Sequence, residues 1–228
     1  LFLVLAIFFL TGLGVFLNVV EKQAVDQSKI PDKVEAEGDF QRWITNLKNN
    51  DVDVGADEFR LLEENEIYNT KWMKVYSIDE PGRREEFEQT LKEHQDLDMV
   101  VFSPSEKEFI DYRHETRGLG PHGEELKANE ARFYGQKEDK IIDARILDCS
   151  TRANCYFDRA YFLDNDLFVI SEFSRNIDKK DETTPLCPIE ETCTYTIKIH
   201  VIDLINNSRL VYESNKYELN LAELIPEL

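Results

Sequence analysis

Residues 1–20 contain no Asp, Glu, Lys or Arg, and this apolar run ends at Glu21 and Lys22. An apolar stretch of about 20 residues is long enough to cross the hydrocarbon core of a bilayer as an α-helix. A helix also satisfies its own backbone hydrogen bonds, which lipid cannot do. The sequence therefore predicts a transmembrane signal-anchor helix over residues 1–20, in contact with membrane lipid.

Two other interpretations of this segment stay open. A cleaved secretory signal has an apolar core of about 7–15 residues and small residues at its cleavage site. Ala24 is small, but Lys22 stands where a second small residue is needed. A buried helix in the core of a soluble protein is the other alternative. Because the chain begins with Leu1, we expect further residues before it, including the flank whose charge orients a membrane helix.

The rest of the chain is strongly acidic. The sequence has 27 Lys and Arg against 46 Asp and Glu, a net charge of −19, and residues 1–20 contribute none of it. Such a field repels nucleic acid phosphates and anionic lipid head groups. The charge therefore argues against nucleic acid as a partner and favours a neutral or basic protein.

The segment after the apolar run separates into a linker and a helical region. Residues 21–38 are charged and contain Pro31, a composition typical of a juxtamembrane linker. Residues 39–96 are predicted to be mostly helical. The first helix of this region carries apolar side chains at the spacing of one helical face, namely Phe40, Trp43, Ile44 and Leu47.

Three further elements are predicted within residues 39–96. A second helix is expected from Asp57 to about Tyr68, with Leu62 on its buried face. Residues 73–78 have the composition of a short strand. A third helix is expected after Pro81, because proline is favoured at the start of a helix and glutamates follow it in the first turn.

From residue 97 onward the apolar runs become short, β-branched or aromatic, and turn residues separate them. This pattern predicts an antiparallel β domain over residues 97–228. Thr194–Leu204 is the clearest strand, since its apolar and polar residues alternate. His200 falls on the polar face with Thr196 and Lys198, and we expect it at the surface.

The predicted fold class is α+β. Its C-terminal part is mostly antiparallel β, arranged as a single sheet, a sandwich or a partial barrel. Amphipathic helices and the N-terminal transmembrane helix precede it.

The four cysteines form two groups with identical spacing, Cys149 with Cys155 and Cys187 with Cys193. Four cysteines allow three pairings, and local pairing within each group is the simplest. Each short loop would stabilise the fold by about 2 kcal/mol in the chain-entropy account. A single zinc ion held by all four is the alternative, but structural zinc sites favour two to four residues between paired ligands. Disulfides require an oxidising compartment, which agrees with a domain outside the cytoplasm.

Residues 112–125 contain the candidate metal ligands His114, His122 and Glu115. Two histidines and a carboxylate can bind zinc or iron. Their spacing matches no metalloenzyme signature, HExxH is absent, and a solvated polar loop between strands explains them better. The chain also contains no G-x-S-x-G motif or Gly-rich phosphate loop. We therefore predict no catalytic, metal or cofactor site, and retain these three residues as candidates only.

Two functions follow from these observations. The first is a single-pass, membrane-anchored domain outside the cytoplasm that binds another protein or has a structural role in the cell envelope. The second is an extracytoplasmic hydrolase, with or without a metal ion, that uses residues 112–125. The absence of a nucleophile motif favours the first.

Overall fold

The computed structural model describes most of the chain after residue 43. For residues 114–119 and 125–128 it describes the backbone only. The described residues are 44–45, 47–49, 52–55, 58–67, 73–119, 125–178, 180–181 and 183–225. The predicted membrane helix over residues 1–20 and the predicted linker over residues 21–38 lie outside these ranges. Within them, no helix combines the length and the apolar character needed to cross a bilayer.

The described residues form two antiparallel five-stranded sheets. The strands are β1 (Arg60–Glu66), β2 (Met73–Ser77), β3 (Val100–Phe102), β4 (Glu108–Leu119), β5 (Glu125–Lys137), β6 (Lys140–Asp148), β7 (Arg152–Asp164), β8 (Leu167–Asp178), β9 (Thr192–Asp203) and β10 (Ser208–Asn220). Among the described residues, α1 (Arg83–His94) and α2 (Leu221–Leu224) are helices, and residues 44–45 and 47–49 also have helical backbone. The prediction of a β-rich C-terminal part is confirmed.

Each sheet is a run of four consecutive strands with one earlier strand added at its edge. The first sheet has the order β1-β10-β9-β8-β7, and the second has the order β2-β6-β5-β4-β3. β1 and β2 precede residue 97, yet they pair with β10 and β6. Both sheets therefore draw strands from either side of the boundary that the sequence suggested.

The predicted helix from Asp57 to Tyr68 is wrong, because Arg60–Glu66 forms β1. A register shift between Leu61 and Glu63 breaks the alternation of this strand, so its apolar residues lack the two-residue period of a strand. Leu62 is 50% exposed instead of buried. Pairing with β10 outweighs the helix propensity of the Leu and Glu residues.

The other two predicted helices agree with the structure in the residues that it describes. Ile44 and Leu47 lie in helical backbone and are buried against the first sheet. α1 follows Pro81 as predicted, and Gly82 precedes its first residue with φ at 80°, a left-handed conformation that glycine adopts without strain. Phe87 of α1 packs on Ile141 of the second sheet.

A shared hydrophobic core joins the two sheets. Phe133 of β5 stacks on Phe168 of β8, with ring centroids 6.2 Å apart. Ile110 and Ala144 from the second sheet, and Ile170 from the first, belong to the same core. The opposite face of the first sheet carries a separate core that includes Leu47 and Ile197. The first sheet is therefore covered on both faces.

Candidate functional site

Polar side chains continue the inter-sheet face of β8 where its apolar side chains stop. Phe168 and Ile170 lie in the inter-sheet core. Alternate residues of a strand share a face, so Glu172 and Ser174 continue the same row. Both are fully buried at 0% exposure. A carboxylate therefore stands at the end of a hydrophobic core.

β9 repeats this pattern beside β8. His200, Lys198 and Thr196 are partners in register of Ile170, Glu172 and Ser174, respectively. The expectation of a surface position for His200 is wrong, since this residue is only 4% exposed. The alternation along β9 assigned His200 to the correct face, but that face meets the inter-sheet core instead of solvent.

Glu172 accepts hydrogen bonds from two side chains, those of Arg152 and His200. Arg152 Nη1 lies 2.5 Å from Glu172 Oε1 and Nη2 lies 2.9 Å from Oε2. His200 Nε2 is 2.9 Å from Glu172 Oε2. We call Arg152, Glu172 and His200 the Glu172 cluster. Burial alone would raise the pKa of Glu172, but the hydrogen bonds from His200 and Arg152, together with the charge of Arg152, outweigh it and hold the pKa well below the usual range.

His200 is neutral in this arrangement. Burial lowers its pKa, and the charges of Arg209 and Arg152 act in the same direction against the opposing effect of Glu172. A carboxylate only accepts hydrogen bonds, so Nε2 of the neutral ring carries the proton that is donated to Glu172. Within the described ranges, the second ring nitrogen Nδ1 is buried without a hydrogen-bond partner.

This cluster predicts a stability that decreases in mild acid. With both disulfides formed, the pKa of His200 lies below its ordinary value of 6.5. The unfolded chain therefore binds a proton first, so the contribution is complete above pH 6.5 and is lost as pH falls toward the lowered pKa. We expect the free energy of unfolding to fall by at most about 1.4 kcal/mol per pH unit from this group.

Urea unfolding between about pH 7 and pH 5 measures this slope. This pH window excludes any effect of Glu172. Because the pKa of Glu172 is lowered from its ordinary value of 4.5, the stability that this carboxylate contributes is lost only below about that pH. His200→Gln should flatten the slope in this window. An unchanged slope in the variant would show that another group is responsible.

The first disulfide lies directly against the Glu172 cluster. Cys149 and Cys155 are bonded, with their Cα atoms 5.5 Å apart. Arg152 sits inside this loop, and its Nη2 lies 3.7 Å from Cys149 Sγ. The predicted pairing is confirmed. The loop that it closes joins the two sheets, because β6 belongs to the second sheet and β7 to the first. The disulfide therefore braces the crossing between the sheets.

The second predicted disulfide is also present. Cys187 and Cys193 are bonded, with Cα atoms 6.5 Å apart. A zinc ion held by all four cysteines is thus excluded in this form of the protein, since each sulfur is engaged within its own loop.

Asn154 joins the two disulfide loops. Its side-chain Nδ2 donates to the Cys187 carbonyl at 2.8 Å, and its Oδ1 accepts from the Cys187 N–H at 2.9 Å. Asn154 has φ at 49° and is 8% exposed. Asparagine tolerates this left-handed conformation better than most residues.

Two replacements of Asn154 should separate the contribution of its hydrogen bonds to Cys187 from the effect of its left-handed backbone conformation. Asn154→Gly keeps the backbone conformation but leaves two buried groups of Cys187 unpaired, so we expect a loss of about 1–3 kcal/mol of unfolding free energy. Asn154→Ala adds left-handed strain of about 1–2 kcal/mol. Thermal and urea unfolding of the two variants measure the difference. Equal effects would mean that the hydrogen bonds alone matter.

The loop that Asn154 holds presents one large apolar side chain. Leu186 is 68% exposed. Arg175 Nη1 donates to the adjacent Pro185 carbonyl at 3.0 Å and also to Asn154 Oδ1 at 3.2 Å. Cys187, the next residue, is anchored by its disulfide. Leu186 is therefore held outward by contacts on both sides.

The structure does not test the candidate metal ligands. His114 and Glu115 lie in β4, paired with Glu130 and Asn129 of β5, and only their backbone is described. His122 lies outside the described residues. The strand continues to Leu119, so less of this region is loop than the sequence suggested.

No protein family model, curated protein or solved structure matches this chain.

Sequence reasoning missed Glu172 and Arg152. One signal was available: Glu172 is the single charged residue in LFVISEF, and it shares alternation with Phe168 and Ile170. A lone carboxylate on the apolar face of a strand needs a cationic partner. The sequence does not identify Arg152 as that partner, because the two residues meet only through the pairing of β7 with β8.

Proposed function

We propose that this chain is a membrane-anchored, extracytoplasmic domain that binds a protein partner and serves as a component of the cell envelope. The charge-free run over residues 1–20 supports the anchor. Two disulfides support an oxidising compartment. In this proposal the N-terminal segment contacts membrane lipid, and the folded domain binds the protein partner.

The outward position of Leu186 is the observation that carries the proposal. A single exposed aliphatic side chain is ordinary on a protein surface, so the 68% exposure of Leu186 is informative only together with the fixed backbone around it. Here the backbone around it is restrained by a disulfide and by hydrogen bonds from Arg175 and Asn154. Ordering a loop upon binding costs free energy, and a loop already ordered avoids that cost. Leu186 therefore suits the role of an apolar contact in an interface.

The charge around this contact indicates the kind of partner. Asp181, Glu190 and Glu191 belong to the same loop region and are exposed, and the whole chain carries −19. Complementary charge accelerates encounter and disfavours wrong partners. The partner is a protein with an apolar pocket for Leu186 and a basic or neutral rim.

Site-specific photo-cross-linking tests this role. A photoreactive amino acid is placed at position 186 of the full chain in its native membranes, and the matched control carries it at Ile205, which is 75% exposed in the turn between β9 and β10. We expect a discrete cross-linked protein from position 186 only, and its loss in a competition with excess unlabelled wild-type chain. The same adduct from both positions, or none from position 186, would contradict the proposal.

The anchor is tested separately by N-terminal sequencing of the protein extracted from membranes. A retained helix predicts a mature terminus before the apolar run. A terminus between residues 18 and 30 would show that the segment is a cleaved signal, and the interaction through Leu186 would then belong to a secreted domain.

A further inference from the structure

The Cys149–Cys155 disulfide and Glu172 bring three potential metal ligands together. One ligand atom from each residue lies within 4.8 Å of the other two. Cys149 and Cys155 are 3% and 5% exposed, and Glu172 is fully buried. We propose that reduction of this disulfide creates a binding site for one Zn²⁺ ion, held by Cys149, Cys155 and Glu172.

The distances suit zinc. Five residues separate Cys149 from Cys155, one more than is usual between paired zinc ligands, but the fold already brings their sulfurs into contact. Zinc binds thiolate sulfur at about 2.3 Å and carboxylate oxygen at about 2.0–2.2 Å, so two ligands of one ion lie within about 4.6 Å of each other. The three ligand atoms of the oxidised protein already fall close to this limit. Small movements of the two released sulfurs complete the site, and a water molecule takes the fourth position.

The charges also balance. A dithiol supplies the two electrons for reduction, becomes a disulfide itself and leaves one proton on each cysteine sulfur. Zinc binding then releases both protons to solvent. Two thiolates and Glu172 carry three negative charges, which Zn²⁺ and the guanidinium of Arg152 together neutralise. Arg152 already contacts Glu172 and Cys149 Sγ, so the compensating charge is in place.

His200 is positioned to support this site. Its Nε2 holds Glu172 Oε2 at 2.9 Å. Oε1 accepts one hydrogen bond from Arg152 and keeps a second lone pair for a metal, so the guanidinium stays in place. Nδ1 of His200 is buried and has no partner in the part of the chain that the structure describes.

The second disulfide provides a matched control. Cys187 and Cys193 have the same spacing as Cys149 and Cys155. Among the residues with described side chains, no histidine or carboxylate completes a metal-ligand group with them. A reduced chain should thus bind zinc at the first pair and not at the second.

The experiment uses the full chain in detergent, reduced with a water-soluble phosphine. The phosphine takes oxygen from water and leaves the two hydrogens on the cysteine sulfurs. Zinc is measured by equilibrium dialysis with metal analysis, and cobalt is substituted to detect thiolate ligation by absorption. We expect one ion per chain in Cys187→Ser/Cys193→Ser and none in Cys149→Ser/Cys155→Ser. Binding by neither variant, or equally by both, would overturn the proposal.

The role of Glu172 needs its own variants. Glu172→Gln should weaken zinc binding at least about 10-fold, whereas Glu172→Asp keeps the charge and should retain part of the affinity. Circular dichroism of each reduced variant establishes that it remains folded. If Glu172→Gln fails to fold, the Glu172→Asp affinity and its cobalt spectrum provide the comparison. Unchanged affinity and spectrum in the folded variants would remove Glu172 from the ligand set and overturn the proposed site.

Discussion

Replacement of Arg152 by methionine is expected to lower the free energy of unfolding by about 3–5 kcal/mol, because it leaves a buried carboxylate without its main cationic partner. Glu172 is 0% exposed, and both of its oxygens accept from Arg152. This loss of unfolding free energy should be several times larger than the loss caused by breaking an exposed ion pair. Arg83→Met removes the Arg83–Glu86 pair of α1, whose partners are 31% and 60% exposed, and should cost at most about 1 kcal/mol.

A double variant separates the cost of pairing from the cost of burial. Arg152→Met with Glu172→Leu removes both charges, so no uncompensated carboxylate remains. We expect this double variant to be more stable than Arg152→Met alone, as measured by urea unfolding of the oxidised protein. The single variant Glu172→Leu completes the comparison. If the losses of unfolding free energy in Arg152→Met and in Glu172→Leu simply add in the double variant, Arg152 and Glu172 do not act as a pair.

Phe133→Ala is expected to cost about 3–5 kcal/mol, since it opens a cavity in the core between the sheets. Phe133 is 0% exposed and stacks on Phe168 of the opposite sheet. The loss should appear as one cooperative transition for the whole domain. Intrinsic fluorescence and far-ultraviolet circular dichroism during the same urea titration should report one midpoint.

The control for this core substitution is Val75→Ala in β2. Val75 is 46% exposed, so its truncation should change the unfolding free energy by no more than about 0.5 kcal/mol. Two separate transitions in Phe133→Ala would mean that the sheets are stable independently. A change equal to that of Val75→Ala would mean that the Phe133–Phe168 contact contributes little.

Particular strands show how much of this fold the sequence predicts. Thr194–Leu204 follows strict alternation, and β9 forms there over Thr192–Asp203. The same alternation assigned His200 to the face opposite Tyr195, which the structure confirms. What covers each face depends on the second sheet, and the strand's own pattern contains no information about it. β1 was missed for a related reason, since its register shift at Leu61 hides its period.

The candidate site was predicted only in part. Local spacing was sufficient to pair Cys149 with Cys155. The meeting of Glu172 with His200 depends on the register of β8 and β9, and its meeting with Arg152 depends on that of β7 and β8. These long-range registers are set by packing of the whole sheet. A single sequence does not specify them.

The position of β1 beside β10 has a consequence for how the protein is made. The second sheet uses one continuous stretch, from β2 to β6, and its strands are all available early in synthesis. The first sheet takes one strand from before that stretch and four from after it, so among the described strands β1 has no partner until β10 is complete. Pairing across so long a separation is slow. Copies that terminate before β10 keep an unpaired strand and an open sheet edge, which promotes aggregation.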